Sequence, residues 1–320
     1  MAKKKPQTCE LISFADACEA FVANFETQGS AHIRRMHWYV ASRLVVEGGF
    51  DPDTLKPHPP FRIETKGKAR YLIHDEKVAN SSEAKIFGGL KTKNVDVVAS
   101  INGVGPCIAI SMKGTLKAYR NLTNRMEEAV GDCTNLHMSY PGLVYGFLHL
   151  IRANPQGLVG AKTVGLVKVD GNGCYRPQDT AVGSAGVTSF ISTYHNAIAR
   201  LTGRRDLRDD VTRYEAVCLL LVSPDEAEFG SLYKSYPLPG SLLHFDSFFR
   251  IIYEQYDTRF VYGSPGLRAV TYRHFWHPDS PALKMPVVAE MSPRISEADL
   301  PPPEEEADED PDEEPDRESS

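Results

Sequence analysis

The chain has 320 residues, of which 42% are hydrophobic, and its formal net charge is −6. These values are typical of one large globular domain or two small ones. No apolar run approaches the roughly 20 residues that a membrane helix needs, and the basic start MAKKK is followed by no apolar segment, so we expect neither a membrane span nor a secretory signal.

The charge is distributed unevenly along the chain. Residues 297–320 contain thirteen acidic residues and one Arg, a balance of −12, so residues 1–296 carry +6. We expect this Pro-rich acidic tail to be disordered. A body with an excess of Lys and Arg is compatible with an anionic partner such as nucleic acid.

The first part of the chain is predicted to be helical. Apolar residues at helical spacing predict helices over 9–28 and 31–47, within an N-terminal helical region, residues 1–79, that packs on a core at 80–296. Residues 81–90, SSEAKIFGGL, begin with a Ser cap signal and end at Gly-Gly, which predicts about two further helical turns.

A β-hairpin opens the predicted core. NVDVVASI at 94–101 and PCIAISMK at 106–113 are apolar runs separated by a segment that begins with Asn-Gly, a strong hairpin signal. A helix is predicted over 118–139, followed by a more apolar helix over 143–153. Residues 163–170 are predicted to form a strand.

The second half of the core adds a helix, a strand and another helix. Residues 186–201 show helical spacing, 214–223 form the most apolar predicted strand, placed at the centre of the sheet, and 242–256 form a closing helix. This order of elements predicts an α/β fold with a mixed central β-sheet and helices on both faces.

An acid and an ammonium group are expected at one end of the hairpin. Asp96 stands between Val95 and Val97, where a carboxylate is costly unless it is paired or binds a metal. Ser111 and Lys113 are two residues apart, so their side chains leave the same face of the second strand. Because the hairpin sets its strands side by side, Asp96 and Lys113 are predicted to approach each other.

A second carboxylate is predicted on the following helix. Glu127 lies at the border between the polar face and the apolar stripe of that helix, from where it can lean over the strand ends. Glu128 shares its face with Arg125 and Asp132, which is more typical of a solvated surface. Glu127 is therefore favoured, although the choice between Glu127 and Glu128 stays open.

Together these residues resemble the PD-(D/E)xK nuclease superfamily, within it the branch of type II restriction endonucleases that cut CCGG- and CCWGG-type sites. That branch has an Asp, then Ser-x-Lys, then a Glu about thirteen residues later on the next helix. Asp96, Ser111-Met112-Lys113 and Glu127 fit this order and spacing, whereas Val95 stands in place of the Pro that gives the motif its name.

The resemblance implies a restriction-endonuclease-like core and a Mg²⁺-dependent endonuclease that cuts double-stranded DNA at a specific site. It implies that Asp96 and Glu127 bind Mg²⁺, with Glu83 on an upstream helix as an indirect ligand. Lys113 would position the attacking water, and Ser111 would mark the vacated acid position. A homodimer or higher homo-oligomer in a prokaryotic cytoplasm is also implied.

Two segments are candidate DNA contacts. The sequence-reading residues of the family often follow the catalytic Lys closely, although KAYRN departs from the reading segment of members that cut CCGG-type sites. The side chains in that stretch are Lys117, Arg120, Asn121 and Arg125. The second segment, GRRDLRDD at 203–210, is either a phosphate or base-edge contact loop or a surface salt-bridge cluster. Its arginines are Arg204, Arg205 and Arg208.

Two alternatives remain open. The first is a phage-defence or repair nuclease of the same fold with little sequence specificity. The second is a non-catalytic nucleic-acid-binding or scaffold protein in which the acidic residues are structural, because short motifs such as Ser-x-Lys also occur by chance.

Overall fold

The computed structural model describes residues 8–24, 30–208 and 210–296. The predicted acidic tail at 297–320 and the basic start lie outside the described residues. Within the described residues, no helix combines the length and the apolar composition that crossing a bilayer requires.

The described residues form eleven strands and seven α-helices. The strands are β1 (Leu55–Lys56), β2 (Phe61–Lys66), β3 (Ala69–His74), β4 (Ala84–Phe87), β5 (Thr92–Val95), β6 (Val97–Ile101), β7 (Gly105–Thr115), β8 (Val144–Arg152), β9 (Val182–Gly183), β10 (Gly186–Val187) and β11 (Ala216–Val222). The helices are α1 (Phe14–Val22), α2 (Arg34–Val46), α3 (Leu122–Ser139), α4 (Ser189–Ile198), α5 (Phe245–Tyr256), α6 (Arg268–Thr271) and α7 (Pro286–Ala289).

A five-stranded mixed sheet with the order β1-β6-β7-β8-β11 lies at the centre of the fold. β6 is antiparallel to both β1 and β7, whereas β8 is parallel to both β7 and β11. Side chains alternate between the two faces, so Ile110 and Met112 of β7 pack with α1, α2 and α5 on one face. Tyr145 and Phe147 of β8 pack with α3 and α4 on the other. The predicted α/β class with a mixed central sheet flanked by helices is confirmed.

The hairpin that carries the candidate site is also confirmed. β6 and β7 pair in antiparallel fashion from Val97 opposite Ile110 to Ile101 opposite Gly105. Gly103 at the turn has φ 78°, a left-handed conformation that glycine adopts without steric cost. α3 then follows β7 and leads to β8, so it lies over the sheet beside the end of β7.

The prediction of a helix over residues 143–153 is wrong, because this segment contains the central strand β8. A continuous apolar run looks the same in a buried helix and in a strand buried on both faces. All nine residues of β8 are buried, since the strand pairs with β7 on one side and β11 on the other while helices cover both faces.

Other segments also differ from their predictions. Residues 81–90 form part of a small hairpin rather than helical turns, because Ala84 and Ile86 of β4 are buried in alternation with exposed neighbours. Residues 163–170 are mainly turns, with one bridge from Val169 to Tyr175.

The central sheet also differs from its predicted arrangement, because β11 lies at the edge of the sheet instead of its centre. The N-terminal region contributes strands as well as helices, including β1 of the central sheet.

Candidate active site

Asp96 lies at the bend where the chain passes from β5 to β6. The last pair of the β6–β7 ladder is Val97 with Ile110. Beyond it, Oδ2 of Asp96 accepts the backbone N–H of Met112 at 2.7 Å. The side chain is 19% exposed, so the carboxylate avoids the cost that burial within a continuous strand would impose. The prediction that Asp96 lies inside the first hairpin strand is therefore corrected, because the residue lies immediately before that strand begins.

Lys113 and Glu128 form an ion pair across the gap between β7 and α3. Lys113 Nζ donates to Glu128 Oε1 at 2.7 Å, and Arg125 Nη1 donates to Oε2 at 3.1 Å. Partial burial alone would raise the pKa of the Glu128 carboxyl, but the hydrogen bonds and charges of Lys113 and Arg125 outweigh burial and lower that pKa. Glu128 is therefore ionised at neutral pH and holds two cations in place.

The expectation that Glu127 leans over the strand ends is corrected by this geometry. Glu127 is exposed on α3, and Glu128 is the carboxylate that reaches Lys113. Successive residues of a helix point roughly 100° apart. A small error in locating the border of the apolar stripe is therefore enough to exchange two neighbouring positions.

A cleft of about 270 Å³ opens at the end of β7, and Asp96, Lys113 and Arg125 line it. Its other lining residues are Ser30, His32, Ile33, Met112 and Gly114. The ring of His32 lies against the β7 backbone here, with Nε2 3.3 Å from the carbonyl oxygen of Gly114. A Cβ atom at position 114 would come within 2.5 Å of that ring. Glycine is thus required for the segment before α2 to form one wall of the cleft.

A second cleft of about 190 Å³ adjoins the first and shares Arg125 with it. Lys117 and Asn121 line this second cleft, so three of the four DNA contacts predicted after Lys113 are brought together beside it. Arg120, the fourth, is exposed on the short 3₁₀ turn Tyr119–Asn121. The two clefts present Lys and Arg side chains of the kind that contact phosphates.

Ser111 is buried, and its hydroxyl lies 2.7 Å from the phenol oxygen of Tyr145. Tyr145 belongs to the cluster that packs under α3, so the Ser111 side chain points towards α3. The Lys113 side chain also reaches α3, and Ser111 and Lys113 therefore leave the same face of β7, as predicted. The Ser111 hydroxyl is therefore used in a core hydrogen bond at the position where the resemblance places a vacated acid.

Arg204 is a structural residue rather than a DNA contact. Its side chain is fully buried, and Nη1 donates to Glu215 Oε1 at 2.8 Å. Arg259 Nη1 lies 2.8 Å from the same oxygen, so Glu215 compensates two buried cations. Arg205 and Arg208 are exposed on the loop that leads into β11, two strands away from β7.

We expect Arg204→Ala to lower the free energy of unfolding by about 3 kcal/mol, the low end for a broken buried pair because Arg259 still compensates Glu215. Arg205→Ala, the exposed neighbour, is expected to change it by less than about 0.5 kcal/mol. Urea titration followed by tryptophan fluorescence measures both. Equal effects of the two substitutions would contradict the buried role of Arg204.

A histidine that sequence reasoning missed lies next to Asp96. His37 of α2 is buried, and its Nε2 lies 3.5 Å from Asp96 Oδ1. Burial lowers the pKa of His37, and the charges of Asp96 and Glu83 oppose that shift only in part. In the sequence, the feature that indicates a role for His37 is its position among the apolar residues of α2, where a histidine has to find a polar neighbour.

Glu83 lies immediately before β4 and not on a helix as expected. The antiparallel pairing of Ala84 with Val95 sets Glu83 beside Asp96. One potential ligand atom from each of His37, Glu83 and Asp96 lies within 4.8 Å of the others. Two carboxylates and an imidazole are a donor set that fits a divalent cation.

Comparisons of the chain with models of protein families, with curated proteins and with solved structures gave no match. The residues at the end of β7 and the two adjoining clefts are therefore the basis for a functional proposal. They combine three potential metal ligands, an ammonium group fixed by a carboxylate, and a run of basic side chains.

Proposed function

We propose that the protein is a Mg²⁺-dependent endonuclease of the restriction-endonuclease type that hydrolyses double-stranded DNA. The observation that carries the proposal is the grouping of Asp96, Lys113 and Glu128 at one strand end, in the order Asp, Ser-x-Lys, Glu. Asp96 and Lys113 line one cleft, and Glu128 is bound to the lysine. The cleft is open to solvent and adjoins a basic surface, as a polyanionic substrate requires.

Lys113 is the residue that would orient the attacking water. Its ammonium group is held by Glu128 and is 25% exposed, so it keeps hydrogen-bond donors free for the cleft. Donation to a lone pair of the water aligns that water with the phosphorus. A second N–H of the same ammonium group would lie beside the phosphate. It would stabilise the negative charge that develops on the phosphate oxygens as the new P–O bond forms and the bond to the leaving sugar oxygen breaks.

Asp96 and Glu83 would hold the metal ion, since their carboxylates lie next to each other. The backbone N–H of Met112 fixes one carboxylate oxygen of Asp96 and leaves the other available. A bound Mg²⁺ supplies Lewis-acid stabilisation of the phosphate and lowers the pKa of water. Glu128 does not take the metal-ligand part that the resemblance gives to Glu127; it would act on the substrate through the position of Lys113.

The second cleft gives the DNA backbone a path next to the site. Lys117, Asn121 and Arg125 present donors for phosphate oxygens or base edges. Cleavage of both strands at a symmetric site would require two copies related by a two-fold axis, which is the basis for proposing a homodimer. A prokaryotic cytoplasm remains part of the same proposal.

The two neighbouring glutamates provide a matched test. We expect Glu128→Gln to slow plasmid cleavage in Mg²⁺ by about 10- to 100-fold, because the residues that orient a catalytic group are typically worth that much. Glu127→Gln, an equally conservative change at the exposed neighbour, is expected to stay within about twofold of the native rate. The reverse ranking would restore Glu127 as the acid at the site.

The cleavage pattern separates the proposal from its rivals. Discrete fragments from one plasmid support a sequence-specific endonuclease, whereas a smear supports a low-specificity defence or repair nuclease. DNA binding without cleavage, unaffected by Mg²⁺ and by Asp96→Asn, would establish the non-catalytic binding protein instead.

A further inference from the structure

The imidazole of His37 has a buried nitrogen without a hydrogen-bond partner. The residue is 2% exposed, and its Nε2 accepts or donates no hydrogen bond within the described part of the chain. Leaving a buried polar atom unpaired is destabilising. That atom lies 3.5 Å from Asp96 Oδ1, on the side of the carboxylate that Met112 does not use.

Three different elements bring the potential ligands together. α2 supplies His37, Glu83 immediately precedes β4, and Asp96 lies at the bend between β5 and β6. His37 is buried, Asp96 is partly buried and Glu83 is exposed, so the cluster is closed on the side of α2 and open towards solvent. Two ligands that share one ion at about 2.1 Å each lie roughly 3–3.5 Å apart, which the separation of His37 and Asp96 matches.

An ion pair between His37 and Asp96 is the simplest alternative account of this contact. It requires a charged imidazole at a position that is 2% exposed, and it would aim an N–H at the carboxylate, yet Nε2 forms no hydrogen bond within the described residues. The neutral ring is the form that binds metals.

We propose that His37 is a direct ligand of the cation at this site, together with Asp96 and Glu83, and that the site consequently binds Mn²⁺ more tightly than Mg²⁺. This inference rests on the proposed function for the role of the metal in the reaction. Mg²⁺ prefers oxygen ligands and retains water, whereas nitrogen donors strengthen the binding of first-row transition ions. The expected consequence is a preference for Mn²⁺ of at least about tenfold.

The test uses the metal alone. The free Mn²⁺ signal in electron paramagnetic resonance, recorded as the full-length protein is added, gives the affinity for Mn²⁺, and displacement by Mg²⁺ gives the affinity for Mg²⁺. We expect one Mn²⁺ per chain at this site. Glu83→Gln, at an exposed position where folding is not at risk, is expected to weaken Mn²⁺ binding at least tenfold, whereas the control Glu76→Gln at another exposed glutamate leaves it unchanged.

His37→Leu isolates the contribution of the imidazole. Leucine removes the nitrogen without leaving a buried polar atom unpaired, so the fold is expected to persist, and its thermal unfolding without metal verifies this. We expect Mn²⁺ affinity to fall at least tenfold and Mg²⁺ affinity to fall less, so that the preference for Mn²⁺ decreases. Unchanged Mn²⁺ binding in a folded His37→Leu protein, or equal binding of both ions by the native chain, would overturn the inference.

The two proposals fail separately. A native chain that cleaves DNA with Mg²⁺ while His37→Leu leaves Mn²⁺ binding intact retains the nuclease and loses the histidine ligand. A native chain that binds Mn²⁺ through His37, Glu83 and Asp96 but cleaves no DNA retains the metal site and loses the proposed function.

Discussion

Asp96→Asn is expected to fold and to bind DNA but to cleave it at least about 10³-fold more slowly than the native chain. The amide oxygen of Asn can still accept the N–H of Met112, so the bend between β5 and β6 is preserved. The negative charge that would hold the metal is lost, and metal stabilisation of the transition state is worth several kcal/mol, with each 1.36 kcal/mol about tenfold in rate. Initial rates of supercoiled-plasmid cleavage measure the effect.

The control for this substitution is Asp279→Asn, which removes a carboxylate whose side chain is 83% exposed. Its cleavage rate is expected to remain within about twofold of the native rate, because the charge is screened by solvent. Cleavage by Asp96→Asn within about threefold of the native rate would show that this carboxylate is structural, as its hydrogen bond to Met112 alone would allow.

Lys113→Ala is expected to reduce cleavage by about 10²–10³-fold, the cost of removing one donor aimed at developing charge. DNA binding is expected to change little, because Lys117 and Arg125 still line the adjoining cleft. Fluorescence anisotropy with a labelled duplex measures binding, and the plasmid assay measures the rate. Folding is not at risk, since Glu128 is 38% exposed and keeps Arg125 as a partner.

Lys234→Ala, at an exposed position, is the matched control for loss of one positive charge. It is expected to leave cleavage unchanged. A Lys113→Ala protein that loses binding and cleavage in equal proportion would assign Lys113 to substrate binding. One that retains full cleavage would remove it from the mechanism.

The sequence was most informative where local signals and chemistry coincide. Asn102-Gly103 between two apolar runs predicted the β6–β7 hairpin, and the hairpin in turn predicted that Asp96 and Lys113 reach one strand end. Side chains of a strand alternate between its two faces, which explains why Ser111 and Lys113, two residues apart, share a face of β7. These features depend on residues close in the chain, whose relative positions a turn and a pleat determine.

Features that depend on packing between distant segments were not predicted. His37 meets Asp96 only because α2 packs against the sheet, and no local pattern indicates that contact. Glu128 replaces Glu127 at Lys113 because the rotation of α3 about its axis is determined by its contacts with the sheet. The apolar run of β8 predicts a helix because burial on both faces removes the alternation that distinguishes a strand.

The most direct test of the proposed nuclease activity is plasmid cleavage by the native chain, with Mg²⁺ and with EDTA, on methylated and unmethylated DNA from several sources. We expect linear or fragmented products with Mg²⁺ on at least one substrate and intact DNA with EDTA. Intact DNA in every reaction, from a protein shown to be folded, would contradict a nuclease and leave the grouping of Asp96, Lys113 and Glu128 as a structural feature of a binding protein.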